Sequence, residues 1–354
     1  MTKKVDYIIV GQGIAGTCLA FQLLRKGKKV IIFDENREHT SSKVAAGLYN
    51  PVTGRKMVLT WKANKLFPAM LTFYKEIEIK LNTSFLHEIP IYRPFVSMEE
   101  QNEWMGQSSD PDYQPFIKRV HTSGLKNNHL KDEFGGLELK QSGYLDIITF
   151  LSKSRDFFLS ENQLIEDTFN DELILTDTKI QYQDIECDKV IFCSGMDDNT
   201  NKYFDWLPFS LVKGEILEIE PEENFEIIYN RGVFIMPRKD GSFKLGATYD
   251  NKDLSLSITE KGRNTLIEKL EAIFKLNYKI INQKAGIRPA TRDRRPFIGL
   301  HPELDRIGIF NGLGTKGVTL APYFAEQFAY YLVDNGELDS EININRFKFL
   351  YYDK

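Results

Sequence analysis

Three glycines stand directly behind the apolar run of residues 5–10, in the order Gly11-Gln12-Gly13-Ile14-Ala15-Gly16. A buried parallel strand followed by this spacing reads as a turn into a helix that can receive a pyrophosphate. Gly11 allows the tight turn, Gly13 lets a phosphate approach the backbone, and Gly16 lets helix and strand pack closely. The helix N-terminus adds free N–H groups and a partial positive charge. An ordinary glycine-rich strand–helix turn has the same letters, so the neighbours decide. The helical pattern runs through Leu19, Leu23 and Leu24 to a stop at Gly27, and residues 29–33 read as a second strand. Asp34 ends that strand, roughly 20 residues past the glycines, where a carboxylate can accept from both ribose hydroxyls. Glu35 beside it reads as solvated. The pattern predicts an adenine dinucleotide site, and an acid at position 34 argues against a 2′-phosphate.

A second glycine-rich turn, Gly312-Leu313-Gly314-Thr315-Lys316-Gly317, links an apolar run to a helical pattern. That helix carries Val318, Phe324, Phe328 and Leu332 and stops near Gly336. Its N–H groups suit a second phosphate, a ring oxygen or a flavin carbonyl. Residues 36–60 hold Thr40, Ser41, Ser42 and Ala45-Ala46-Gly47-Leu48-Tyr49, small side chains and hydroxyls that suit a loop pressed against a bulky ligand. The run from Val190 ends in Cys193-Ser194-Gly195, small residues that let the chain pass under a cofactor. Cys193 reads as a small buried hydrophobe rather than a nucleophile.

These pieces need a scaffold. Helical spacing marks residues 64–81 and 143–159, and a capping box of Ser257 with Glu260 opens a further helix. Strands are predicted at residues 89–95, 117–120, 163–169, 172–176, 211–220 and 232–237, and Asp240-Gly241 makes a hairpin turn before residues 242–248. The 354 residues, 42% hydrophobic and 27% charged, describe a globular chain of one large unit or two domains. A net charge of −4 gives no general attraction to nucleic acid or to an anionic membrane. Cys18, Cys187 and Cys193 form no CxxC pair, so neither a disulfide framework nor a metal site is expected. The chain enters a strand at once and has no run long enough to span a bilayer, so a cytoplasmic setting is expected.

Taken in order, these motifs resemble the FAD-dependent amino-acid oxidase superfamily, which includes D-amino-acid, glycine and sarcosine oxidases. The marks are residues 11–16, Asp34, residues 45–48 and 193–195, Lys213-Gly214-Glu215, residues 244–248, Gly286-Ile287-Arg288-Pro289 and residues 312–322. Thr291-Arg292-Asp293, residues 313–317 and Gly47-Leu48-Tyr49 with Pro51 are also similar to one branch, the FAD oxidase domain of the bifunctional enzyme that builds methylaminomethyl-uridine in tRNA. The resemblance implies an α/β (α+β overall) chain: a Rossmann-like FAD-binding domain with a second, mixed-sheet substrate domain. The first would comprise residues 1–85, 143–208 and 285–354, the second residues 86–142 and 209–284. It further implies FAD-dependent oxidation of a carbon–nitrogen bond in a small amine or amino acid, by hydride transfer to flavin N5. Arg288 matches an arginine that clamps a substrate carboxylate, against the alternative of an arginine capping strand carbonyls. Lys244 matches a lysine near the flavin that assists reaction with oxygen, against a solvated hairpin lysine. Phe234 stands where glycine oxidase has a tyrosine, and Lys316 joins the catalytic candidates. No cysteine follows Cys193, so non-covalent FAD is expected. The competing expectations are a tRNA wobble-uridine substrate and a non-catalytic flavoprotein.

Overall fold

Residues 7–10 and 30–33 are apolar at every position because both faces of their sheet are covered. Side chains alternate across a strand. Tyr7, Ile9, Val30 and Ile32 enter one core with helical partners, and Ile8, Val10, Ile31 and Phe33 enter another. The computed structural model describes residues 2–54, 56–125, 130–170, 172–176, 178–275 and 277–353. In it these strands are central to a six-stranded sheet. Its order is Leu164–Ile165, Val30–Phe33, Tyr7–Val10, Lys189–Phe192, Ile307–Asn311, Phe297–Leu300. All pairs are parallel except the last. The strand order reverses at Tyr7–Val10, the place where open α/β sheets take ligands. Helices Ile14–Arg25, Ala63–Leu81, Ile147–Ser160 and Gly317–Asp334 fill one face.

An eight-stranded mixed sheet forms the second layer system. Its order is Tyr278–Arg288, Val212–Pro221, Phe243–Gly246, Phe234–Pro237, Ile228–Asn230, Ile91–Pro94, Gly136–Leu139, Ile117–His121. Leu217, Ile235, Phe243 and Leu245 point to one face and pack under helix Glu260–Ile273 through Leu266 and Leu270. The opposite face carries Ile216, Phe234, Met236 and Lys244. Strand Tyr278–Arg288 runs unbroken through position 285, and we propose that the two domains meet along it.

Two local expectations are corrected. Residues 143–159 are not one helix. Gly143–Leu145 is a strand paired with Leu48–Tyr49 and Leu86–Glu88, and Asp146 then caps Ile147–Ser160 by accepting from the Thr149 N–H at 3.2 Å. The helix after it starts from Thr259, not Ser257, with Thr259 Oγ1 accepting from Gly262 N–H at 2.9 Å. The reciprocal acid of the expected box is replaced by a distant one: Glu215 accepts from the Thr259 N–H at 2.9 Å. The last long helix ends at Asp334, near Gly336 as expected, with Asn335 in the left-handed conformation (φ 56°).

Candidate functional site

The turn after Tyr7–Val10 is built on close approach. Gly11 has φ +100°, and a Cβ there would stand 2.7 Å from the Cys193 carbonyl oxygen. A Cβ at Gly16 would stand 2.0 Å from the carbonyl oxygen of Gly11. Gly13 is the N-cap of helix Ile14–Arg25 and has no side chain to satisfy the first-turn N–H groups. Ser42 Oγ accepts from the Ile14 N–H at 3.1 Å, bringing the Ser41–Val44 helix over the turn. Ala15 and Ala46 are buried, as is Gly47, and Leu48 starts the next short strand. This tight cradle of open N–H groups and hydroxyls fits the pyrophosphate of a dinucleotide.

Asp34 sits where the ribose acid was expected, but it is already engaged. Its Oδ2 accepts from Gln12 N–H at 2.8 Å, and its Oδ1 from Asn36 N–H and Arg155 NH1, both at 2.8 Å. Three of the ~4 acceptor sites of the carboxylate are filled, leaving room for one ribose hydroxyl rather than two. Arg155, 7% exposed, also donates to Gln12 Oε1 at 2.9 Å and to Glu166 Oε1 at 2.9 Å. Glu35 turns away to pair with Arg37 at 2.7 Å, a hydrogen bond that holds its carboxyl below the usual range.

The second glycine turn meets the first. Gly317 opens helix Gly317–Asp334 with its α-carbon against Ile14, where an added Cβ would lie 3.1 Å from Ile14 Cγ2. Thr315 is exposed, Val318 is buried, and Gly314 N–H donates to the Pro289 carbonyl at 3.2 Å. Asn311 ties this turn to the other strand end. Its Nδ2 donates to the Gly195 carbonyl and to Asp198 Oδ2, both at 2.7 Å, and its Oδ1 accepts from Gly312 N–H at 2.7 Å. Ser194 N–H donates to the same Asp198 oxygen at 3.1 Å. Burial pushes the Asp198 carboxyl up to about 7. The Cys193 thiol is buried and its pKa is raised well above the ordinary value, as expected of an inert core cysteine.

Three cations line the face of the mixed sheet and the turn next to it. Arg288 lies over Gly214, where a Cβ would be 1.9 Å from its NH2. Its NH1 donates to the carbonyls of Thr248 at 3.1 Å and Lys213 at 3.4 Å, and its guanidinium stacks on Tyr249 at 4.6 Å. Among the described residues Nε and NH2 have no protein acceptor, so the strand-capping role uses only one arm of the fork. Lys244 is 8% exposed, not solvated, and its Nζ donates to the Ala45 carbonyl at 3.2 Å. Burial, then the charge of Arg238, lowers its pKa to about 8. Lys316 Nζ donates to Thr53 Oγ1 at 3.2 Å and Thr60 Oγ1 at 3.1 Å, and burial, then Arg295 and Arg294, lower it to about 8. Among the described residues none of the three has a carboxylate within ion-pair distance. Phe234 packs its ring edge on Gly246 in the strand of Lys244.

Sequence reasoning missed Arg155, Asn311, Asp198, Thr53, Thr60 and Tyr249. Asn311 alone had a signal, as the last residue before the second glycine turn. Arg292 and Arg294 are exposed, and Arg295 stacks on Trp61 at 4.1 Å.

A family model described as DAO, FAD dependent oxidoreductase, matches residues 6–331. A glycine oxidase of Bacillus licheniformis is 25% identical over 363 residues, covering 95% of each chain. A Campylobacter jejuni tRNA 5-methylaminomethyl-2-thiouridine biosynthesis bifunctional protein is 23% identical over 312 residues, 84% of this chain but 46% of that longer one. The crystal structure of a Bacillus cereus glycine oxidase superposes with a TM-score of 0.77 at 18% identity, covering 94% of this chain and 96% of the other. Among the described residues no helix is long and apolar enough to cross a membrane.

Proposed function

Because this chain belongs to the DAO family of FAD-dependent oxidoreductases, we propose that it oxidises the carbon–nitrogen bond of an amino acid or N-substituted glycine. It is an FAD-binding enzyme. The residues proposed to hold FAD are 11–16, Asp34, Ser41, Ser42, 46–48, 193–195 and 312–318. When bound, FAD supplies the two-electron acceptor. The single observation that carries the substrate class is Arg288, a desolvated guanidinium that, among the described residues, has no carboxylate partner and two nitrogens with open donors. A planar fork in that state suits a substrate carboxylate held by two parallel bonds.

An amine that enters neutral needs no protein base, and no residue is assigned that role. The α-carbon then loses hydride, the nitrogen loses a proton to solvent, and a C=N bond forms. Water adds to that bond and splits it into carbonyl and amine. Phe234 and Ile216 present apolar surface over Gly246, in the strand of Lys244.

Anaerobic addition of paired amines to the yellow holoenzyme tests the reading. Amino acids or N-substituted glycines bleach the flavin, and their decarboxylated analogues do so far more slowly. Bleaching by none of them, or equal bleaching by both members of a pair, defeats the proposal. A second reading, a carboxymethylaminomethyl group on tRNA, draws on exposed Arg292 and Arg294, which have no carboxylate partner among the described residues. Steeply salt-dependent tRNA binding would favour it.

Asp34→Ala is expected to weaken FAD binding roughly 5- to 150-fold, the effect of about 1–3 kcal/mol for a lost buried acceptor. Flavin fluorescence on titration of the apoprotein reads this directly. An unchanged affinity would remove Asp34 from the ribose site.

A further inference from the structure

Lys316 is a costly residue to keep where it stands. It is half-buried, and among the described residues the charges that act on it are the guanidiniums of Arg295 and Arg294, not a carboxylate. Arg295 has Glu341 at 3.5 Å, whereas Arg294 has no ion-pair partner among the described residues. Two protons of the Lys316 ammonium go to Thr53 and Thr60. Thr60 passes its own hydroxyl proton to the Asn50 carbonyl at 3.1 Å. Thr53 has no such acceptor among the described residues, so its hydroxyl and the third Lys316 proton stay available as adjacent donors. A desolvated cation, a free hydroxyl and an excess of positive charge together recognise an anion.

This position is coupled to Arg288 through short paths. Arg288 is followed by Pro289, whose carbonyl accepts from Gly314 N–H at 3.2 Å, two residues before Lys316. On the other side, Val52 next to Thr53 lies in the apolar cluster of Ala46 and Met236, against which Phe234 packs. The Lys316 end is thus tied to Arg288 through the Pro289–Gly314 bond and to this apolar cluster through Thr53 and Val52.

Resting on the oxidase reading above, we infer that the substrate is an amine with two acidic groups, one held by Arg288 and a second, carboxylate or phosphate, held by Lys316 and Thr53. The ligand class is a small dianion rather than a simple amino acid.

Perturbation of the flavin spectrum of the holoenzyme by butyrate, succinate and 3-phosphonopropionate tests this. Wild-type protein is expected to bind at least one dianion about tenfold or more tightly than butyrate. Succinate and 3-phosphonopropionate separate a second carboxylate from a phosphate-like group. Lys316→Met erases the preference, weakening the dianions more than butyrate, and Lys316→Arg keeps it. Thr53→Val, a milder change, reduces the preference by about three- to tenfold. No dianion preference in the wild type overturns the inference, as does equal weakening of butyrate and dianions by Lys316→Met. A Lys316-dependent grip on RNA but on neither small dianion also overturns it. Failure of the oxidase reading looks different: Arg288→Lys would then leave butyrate binding intact.

Discussion

Arg288→Lys lowers kcat/KM for a carboxylated amine roughly 30-fold to several thousand-fold, the consequence of leaving a desolvated charge pair incomplete by about 2–5 kcal/mol. The slot explains why charge alone is not enough. The guanidinium lies close over Gly214 and against the Tyr249 ring, with one arm fixed to the Thr248 carbonyl at 3.1 Å. A lysine ammonium in that slot meets the same carbonyl but has no second parallel donor for the substrate. The carboxylate then loses its fixed orientation, and the α-carbon spends less time in reacting geometry. FAD affinity stays within about threefold, because Arg288 contacts none of the glycine turns. The loss appears in the anaerobic rate of flavin reduction. An amine without a carboxylate is barely affected, since it never used the fork. Equal slowing of both substrates would make Arg288 a strand cap and remove the main support for the substrate class.

Legibility of the site followed the range of the interactions. The first glycine turn was readable because steric conflict is local: Gly16 must clear the Gly11 oxygen five residues away. The second turn was readable for the same reason, and the two meet at Gly317 and Ile14. Lys244 was ambiguous in sequence, since a strand alternates faces and both faces of this one are covered. The Ser257 box failed because a buried acid 44 residues away, Glu215, supplies the bonds that choose Thr259. Residues 143–145 look helical by periodicity, yet pairing with two distant strands overrides that pattern. Arg155 was invisible altogether. It lies in a helix with ordinary amphipathic spacing, and its partner Asp34 is 121 residues away.

Arg155→Met is expected to lower stability by about 3 kcal/mol or more, because it removes one partner of a buried pair and leaves the other charge behind. The methionine keeps much of the stem packing, so the loss reports the guanidinium. Asp34 is the partner that matters: its side chain is 19% exposed, against 53% for Glu166, whose pairing is solvent-screened and worth little. The Asp34 carboxylate would keep only the N–H groups of Gln12 and Asn36. Gln12 would also lose the donor to its Oε1, loosening the turn between the first two glycines. At roughly 2–4 °C per kcal/mol for a large domain, the apoprotein melts about 6–12 °C lower. Saturating FAD recovers part of this by mass action. The coupling is isolated by a cycle with Asp34→Asn, which removes the charge but keeps the shape. If the pair organises the ribose end of the cradle, Arg155→Met has a much smaller effect in the Asp34→Asn background than in the wild type. Additive losses would mean that Arg155 acts through Glu166 and helix packing, and that Asp34 is set by backbone N–H groups alone.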